Sequence, residues 1–256
     1  MMRGKSVYKP PLPLTIHKLN YLVIDDRRIE IHKRVGRRRR SRVMLSYHPD
    51  GILFVDAPRK TTDRALRIII FRNEPWLRKE IQKHKNGDLV VYPTQYESGR
   101  VLYVLGSPAT LRVRKQDKTT VNYHDSSVVV GAPEDAPIRA IVHDWYRQLA
   151  NTVFYATVRR ICTSTNLLEQ LPTWKHRFMT SKWGSCSSSG TMHLNTHLVK
   201  VPQQAIDMVV LHELCHFKEL NHGPKFYELM NRHMPDWKKH DATLTRYQQL
   251  LHEQVV

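Results

Sequence analysis

Three histidines and one glutamate carry the most specific chemistry in this 256-residue chain. In Val209-Val210-Leu211-His212-Glu213-Leu214-Cys215-His216-Phe217 the pattern H-E-x-x-H falls on His212, Glu213 and His216. A helix turns about 100° and rises about 1.5 Å per residue, so positions i and i+4 share a face one turn apart. His212 and His216 can therefore aim at one ion. Glu213, beside them, can reach a water on that ion without ligating it. The chemistry this spacing supports is metal-assisted hydrolysis: one zinc per chain held by neutral imidazoles, a water it acidifies, and a carboxylate that takes the proton.

Zinc sites of this kind need a third protein ligand. His222 lies six residues after His216, in Leu220-Asn221-His222-Gly223-Pro224, where Asn tolerates a left-handed cap and Gly-Pro breaks a helix. The chain can turn back there and present His222. Glu228, further on, is the rival ligand. Glu219 stands where related spacings carry a helix-ending glycine, and its place two turns from His212 is too far to share that ion.

Stepping outward, Ile206, Val209, Val210, Leu214 and Phe217 give the metal helix a buried face, and Pro202 suits its first turn. Thr191–Val199 reads as a strand leading into it, on which an extended peptide could pair. His193 and His197 lie four apart on that strand, about 13 Å from one another, and read as structural. Lys182, Asn195 and the backbone N–H groups of Gly184-Ser185 are candidates for stabilising negative charge that develops on a substrate.

Upstream, residues 1–20 read as a Pro-punctuated arm. Residues 21–131 read as a basic, β-rich region containing one helix over 61–85 that Pro75 kinks or splits, stopped by Asn86-Gly87. Strands are expected at 21–24, 43–47, 52–55, 89–92, 101–105, 110–113 and 128–130. Ser188-Ser189-Gly190 marks a further turn. Residues 136–166 read as a long helix, so the composition shift at 132 marks the expected start of a catalytic domain, 132–256. No internal repeat stands out. The fold class expected is α+β: a zincin-like metal-binding domain preceded by a small antiparallel β-rich region with a helix.

Composition narrows the function classes. Hydrophobic content of 41 % is that of a globular chain, not a disordered one. No apolar run is long enough to span a membrane and no secretory signal is visible. Three cysteines, Cys162, Cys186 and Cys215, make no disulfide framework and point to a reducing, cytoplasmic setting. The net charge of +18 is uneven: residues 1–130 hold 27 Lys/Arg against 12 Asp/Glu, and residues 131–256 hold 14 against 11. A basic N-terminal half fits a polyanion such as nucleic acid, and the Arg37–Arg40 run is its densest part. Solvated charge at a strand edge accounts for the same run.

Read together, Lys182-Trp183-Gly184-Ser185-Cys186, Leu194-Asn195, Asp207 to His216, and Asn221-His222-Gly223-Pro224-Lys225-Phe226 resemble the YgjP-like metallopeptidase family. The family pattern is R-W-G-S-C, L-N-W-x-L, D-Y-V-x-x-H-E-L-x-H and N-H-x-x-x-F-W. Here Lys182 stands for Arg, Thr196 for Trp, Met208 for Tyr and Tyr227 for Trp. Lysine keeps the charge but not the bidentate fork. The resemblance implies a zincin-like domain with His212, His216 and His222 as zinc ligands and Glu213 as general base. It leaves open a peptide substrate, a nucleotide such as UTP cleaved to UMP and pyrophosphate, or a DNA-associated protease of the SprT-like type.

Overall fold

The structure is a computed structural model, and it describes residues 15–17, 19–35, 42–85, 89–187 and 190–253. The arm before residue 15, the Arg37–Arg40 run, the Asn86-Gly87 stop and the Ser188-Ser189 turn lie outside the described residues. The chain is α+β and divides into two units, residues 1–88 and 89–256. The domain start expected at 132 falls inside the second unit, because the sheet before it and the helices after it share one hydrophobic core.

The first unit holds β1 (Thr15–His17), β2 (Tyr21–Ile24), β3 (Arg27–Val35), β4 (Met44–His48) and β5 (Ile52–Ala57), ordered β1-β2-β3-β5-β4. Residues 15–17 are thus a strand rather than part of an arm. The β3–β5 pair is parallel, so the sheet is mixed, not wholly antiparallel. β3 is absent from the sequence reading because Arg27, Arg28, Lys33 and Arg34 mask the alternation of Ile29 and Ile31, both buried. The expected helix splits into α1 (Asp63–Arg72) and α2 (Glu74–Lys85), with Pro75 the second residue of α2. Thr62 caps α1 by accepting the Ala65 N–H at 3.2 Å. Much of the basic excess belongs to this unit, and Arg64 and Arg72 on the outer side of α1 are exposed.

The second unit opens with β6 (Val101–Val104), β7 (Ser107–Lys115), β8 (Thr120–His124) and β9 (Ser127–Ala132), ordered β6-β7-β9-β8 with β7–β9 parallel. This repeats β2-β3-β5-β4 strand for strand and register for register. Leu22 opposite Ile29 corresponds to Leu102 opposite Ala109. Ile31 opposite Leu53 corresponds to Leu111 opposite Val128. Tyr47 opposite Leu53 corresponds to Tyr123 opposite Val128. The chain therefore contains an internal repeat, where none is expected from the sequence. Its traces in sequence are Tyr47-His48 against Tyr123-His124 and Ala57-Pro58 against Ala132-Pro133. Leu89–Tyr92, expected as a strand, is irregular, although Val90 and Tyr92 are buried.

α3 (Ile138–Thr165) follows the repeat, then β10 (Thr173–Arg177), β11 (Gly184–Cys186), β12 (Thr191–Asn195), α4 (Gln203–Cys215), α5 (Pro224–His233) and α6 (Trp237–Tyr247). The small sheet is ordered β10-β12-β11. β12 is its central strand, so it has no edge for a peptide; β11 does. The strand expected over 191–199 ends at Asn195 and a 3₁₀ turn takes Thr196–Lys200. Asp207 on α4 accepts from Arg160 on α3 at 2.5 Å and from Gln203 at 2.8 Å, which ties the two helices together. The hairpin between β6 and β7 holds the approach to α4: Leu105 and Gly106 donate to the carbonyls of Val199 and Lys200 at 2.8 and 3.2 Å.

Candidate metal centre

α4 presents His212 and His216 one turn apart, with ring centroids 4.9 Å apart. The helix ends without glycine. Phe217, Lys218 and Glu219 donate back to Leu214 and Cys215, which carries the chain round one more turn. Pro224 then starts α5. That path brings His222 to the pair, with one ring nitrogen from each histidine within 4.8 Å of the others. Glu228 is elsewhere, exposed on α5 and paired with Arg232 at 2.8 Å.

The donor set fits a tetrahedral divalent ion. His212 Nε2 faces His222 Nε2 at 3.0 Å. Two lone pairs cannot face each other so closely, so a shared proton or cation belongs between them. Nitrogens on tetrahedral zinc stand about 3.3 Å apart, given Zn–N distances of about 2.0–2.1 Å. His216 Nδ1 donates to the Glu219 carbonyl at 3.0 Å, which leaves its Nε2 free to ligate. Glu219 thus contributes through its backbone. Burial, with His216 and His222 nearby, lowers the His212 pKa to about 4, so its imidazole is neutral near pH 7.

Phe226 belongs to the sequence motif and stands at the heart of the site. Its ring centroid lies 4.9, 4.7 and 4.7 Å from those of His212, His216 and His222. It is 1 % exposed and forms the floor on which all three imidazoles rest. Four residues after His222, on the first turn of a helix opened by Gly-Pro, was the signal that could have placed it.

Glu213 is 4 % exposed. Burial raises its pKa to about 7, against the opposing pull of the Lys182 charge and of the Cys186 N–H it accepts. Its Oε2 is buried with no hydrogen-bond partner among the described residues. A carboxylate oxygen left unpaired in a protein interior is costly and calls for a polar partner.

The expected substrate contacts divide. Lys182 is exposed and close enough to act on Glu213. Gly184 lies directly against the Glu213 carboxylate. The β11–β12 ladder carries bonds from Asn195 N–H to Trp183 and from Ser187 N–H to Thr191. By alternation Ser185 bonds across to His193, so its N–H is used inside the sheet, while Gly184 and Cys186 turn theirs outward. Cys186, not Ser185, reaches the site through its backbone. Asn195 is no substrate contact either, being fully buried. Its Oδ1 accepts from Met179 and His197 N–H at 3.2 and 3.0 Å, and its Nδ2 donates to the Met179 and Lys182 carbonyls at 2.9 and 2.8 Å. It fixes the segment that carries Lys182.

His197 is buried on the 3₁₀ turn rather than on a strand face shared with His193. Its Nδ1 lies 3.5 Å from Glu253 Oε2. Glu253 also accepts from His143 at 3.0 Å, from Lys200 and from Tyr96. Cys215 faces inward against Met230 Sδ at 3.7 Å, and burial pushes its thiol pKa up to about 12.

An α+β unit with three convergent imidazoles, two of them from α4 or its cap, and a carboxylate on α4 has the make-up of a metallohydrolase. The chain belongs to the YgjP-like family: the model of the YgjP-like metallopeptidase domain matches residues 41–247. Membership supports a metallopeptidase-like function and a divalent metal. No curated protein matches the chain. Among solved structures it is similar to the crystal structure of the metallopeptidase zymogen of Methanocaldococcus jannaschii jannalysin. That match has 24 % identity over 36 % of this chain and 93 % of that one, with a TM-score of 0.33. No helix among the described residues is long and apolar enough to cross a membrane.

Proposed function

We propose that this chain is a zinc-dependent peptidase in which His212, His216 and His222 hold one ion and Glu213 is the general base. The observation that carries the reading is a buried carboxylate oxygen without a partner, set beside three converging imidazoles. When bound, zinc supplies a Lewis acid and acidifies water. The protein's own groups do the rest. Glu213, its pKa near neutrality, takes a proton from the attacking water and hands it to the leaving amine. Lys182 sets a positive charge near the site where negative charge develops. The N–H of Gly184 turns away from β12 on the outer strand of this sheet, next to Glu213, and suits a backbone donor to an extended peptide.

The test is turnover by zinc-loaded protein on unfolded casein and, in parallel, on nucleoside triphosphates, with Glu213→Gln as the blank. Cleavage of casein by the wild type alone supports the reading. Hydrolysis of the triphosphates without cleavage of casein would replace it with a nucleotide pyrophosphohydrolase.

A further inference from the structure

An aromatic pair stands beside the metal centre and has no part in holding it. Tyr227 follows Phe226 on the first turn of α5. Its ring lies 5.5 Å from the Phe226 ring, edge to face, and 6.5 Å from the ring of His222. On another side it stacks on Trp237, centroids 5.7 Å apart and planes 17° from parallel. Trp237 is fixed in turn. Its indole N–H donates to Asn231 Oδ1 at 2.8 Å, the Lys238 ammonium stands 5.7 Å from its ring, and it packs on the core of the second unit.

Despite this support Tyr227 remains 41 % exposed. Phe226, at 1 % exposed, already fills the space under the imidazoles, so Tyr227 is not needed there. Leu220, two residues before His222, is 66 % exposed. What sets Tyr227 apart from the other exposed large side chains is its place: its ring lies 6.5 Å from that of the metal-centre residue His222 and stacks on a second aromatic ring. The two carboxylates nearest in sequence are already engaged, Glu228 with Arg232 and Asp236 with His240. The stacked Tyr227 ring is thus a shelf held from one side by Trp237, and its two sequence-nearest acids are paired elsewhere.

We propose that the Tyr227–Trp237 stack is a specificity subsite that takes an apolar or aromatic side chain of a peptide substrate beside the scissile bond. This rests on the peptidase reading. Stacking on a pre-held ring adds contact area at little cost in conformational freedom. The contact needs the ring and not the phenol, so Phe or Trp at this position should serve as well.

Zinc-loaded wild type, Tyr227→Ala, Tyr227→Phe and Tyr227→Trp are given the same mixture of unfolded peptides, and the cut sites are read by mass spectrometry. Wild type should cut beside Phe, Tyr, Leu or Met. Tyr227→Ala should lose that preference and raise KM at least about ten-fold, more than it lowers kcat, as expected for a lost apolar contact. The Phe and Trp variants should restore both. A wild type indifferent to the side chains beside the cut would overturn the subsite, as would a Tyr227→Ala variant with unchanged KM and preference. A Tyr227→Phe variant that lost kcat would also overturn it, in favour of a role for the hydroxyl.

If wild type cuts no peptide, the peptidase reading fails, and the shelf is judged by binding instead. Fluorescent hexapeptides differing only in one Phe or Ser are titrated onto zinc-loaded Glu213→Gln. Tighter binding of the Phe peptide, abolished by adding Tyr227→Ala, keeps the subsite; equal affinities remove it.

Discussion

Gly184 and Glu213 are in such close contact that a β-carbon at position 184 would stand 2.5 Å from Glu213 Oε1. The backbone of β11 thus forms one wall of the carboxylate's pocket, and Cys186 N–H, two residues on, holds it from the same strand. Glycine is required here by proximity rather than by an unusual backbone angle.

Gly184→Ala should therefore displace Glu213 while leaving the three histidines untouched. Metal content by elemental analysis should match wild type, and turnover should fall at least about ten-fold, because a small misplacement of a catalytic group is costly. Normal turnover would show that the carboxylate is not held in its working position by this contact.

Glu213→Gln keeps the shape and removes the proton acceptor. Folding by circular dichroism and zinc content should be retained, and kcat should drop by about 10²–10⁴-fold, the usual contribution of a general base. A zinc-loaded Gln variant with near-normal turnover would sink the hydrolytic role of the motif.

The two rival third ligands are separated by chelator competition. His222→Ala should surrender metal at a lower chelator concentration than wild type, whereas Glu228→Ala, already paired to Arg232 in the exterior, should behave as wild type. The reverse order would transfer the ligand role to Glu228.

Phe226 gives a prediction about ligand geometry. Phe226→Ala would empty a core position and cost about 3–5 kcal/mol, so Phe226→Leu is the informative variant. With its three imidazoles less firmly seated, zinc affinity should fall by about 10–100-fold, the range seen when groups supporting metal ligands are lost. The visible spectrum of the cobalt-substituted variant should shift as well. An unaltered spectrum and affinity would reduce Phe226 to ordinary core packing.

What could be read from sequence was what is local. His212, Glu213 and His216 are fixed by helical spacing, and His222 by a helix break within the same short stretch. The Glu219 carbonyl, the Cys186 N–H and the wall made by Gly184 depend on where other segments come to lie, which no spacing rule reports. Asn195 was misassigned for the same reason: its amide has the right chemistry for a substrate, and only the fold shows all of it engaged with backbone. The strand β3 and the boundary between the units were misread because charge and texture follow solvent exposure, whereas shared cores decide strands and domains.

The cluster around Glu253 predicts how stability depends on pH. Burial alone would raise its pKa, but Lys200, His143 and His197 outweigh it and hold the carboxyl well below the ordinary 4.5. A depressed carboxylate adds stability above 4.5 that is lost as pH falls below it. Burial, assisted by Lys200, lowers the His197 pKa well below 6.5, so the unfolded chain takes up a proton first as pH drops through 6.5. Urea midpoints should therefore decline from about pH 6.5 downward and more steeply below about 4.5. Glu253→Gln should be less stable at pH 7 and lack the steeper limb. A wild-type midpoint constant from pH 7 to 4 would contradict both assignments.

The repeated four-strand pattern carries a hazard during folding. Two hairpins with matching registers on one chain can each offer themselves to the other's sheet, the usual route to misassembly in repeat proteins. Gly106 supplies a safeguard. Its β-carbon, if present, would stand 2.7 Å from the Pro202 ring, and the equivalent place in the other copy is held by Asp26. A β2–β3 hairpin seated by mistake where β6–β7 belongs would drive an aspartate into that proline, just ahead of α4. The close contact of Gly106 with Pro202 thus makes the two hairpins unequal at the segment that leads into the metal helix, and it favours β6–β7 over β2–β3 at that place.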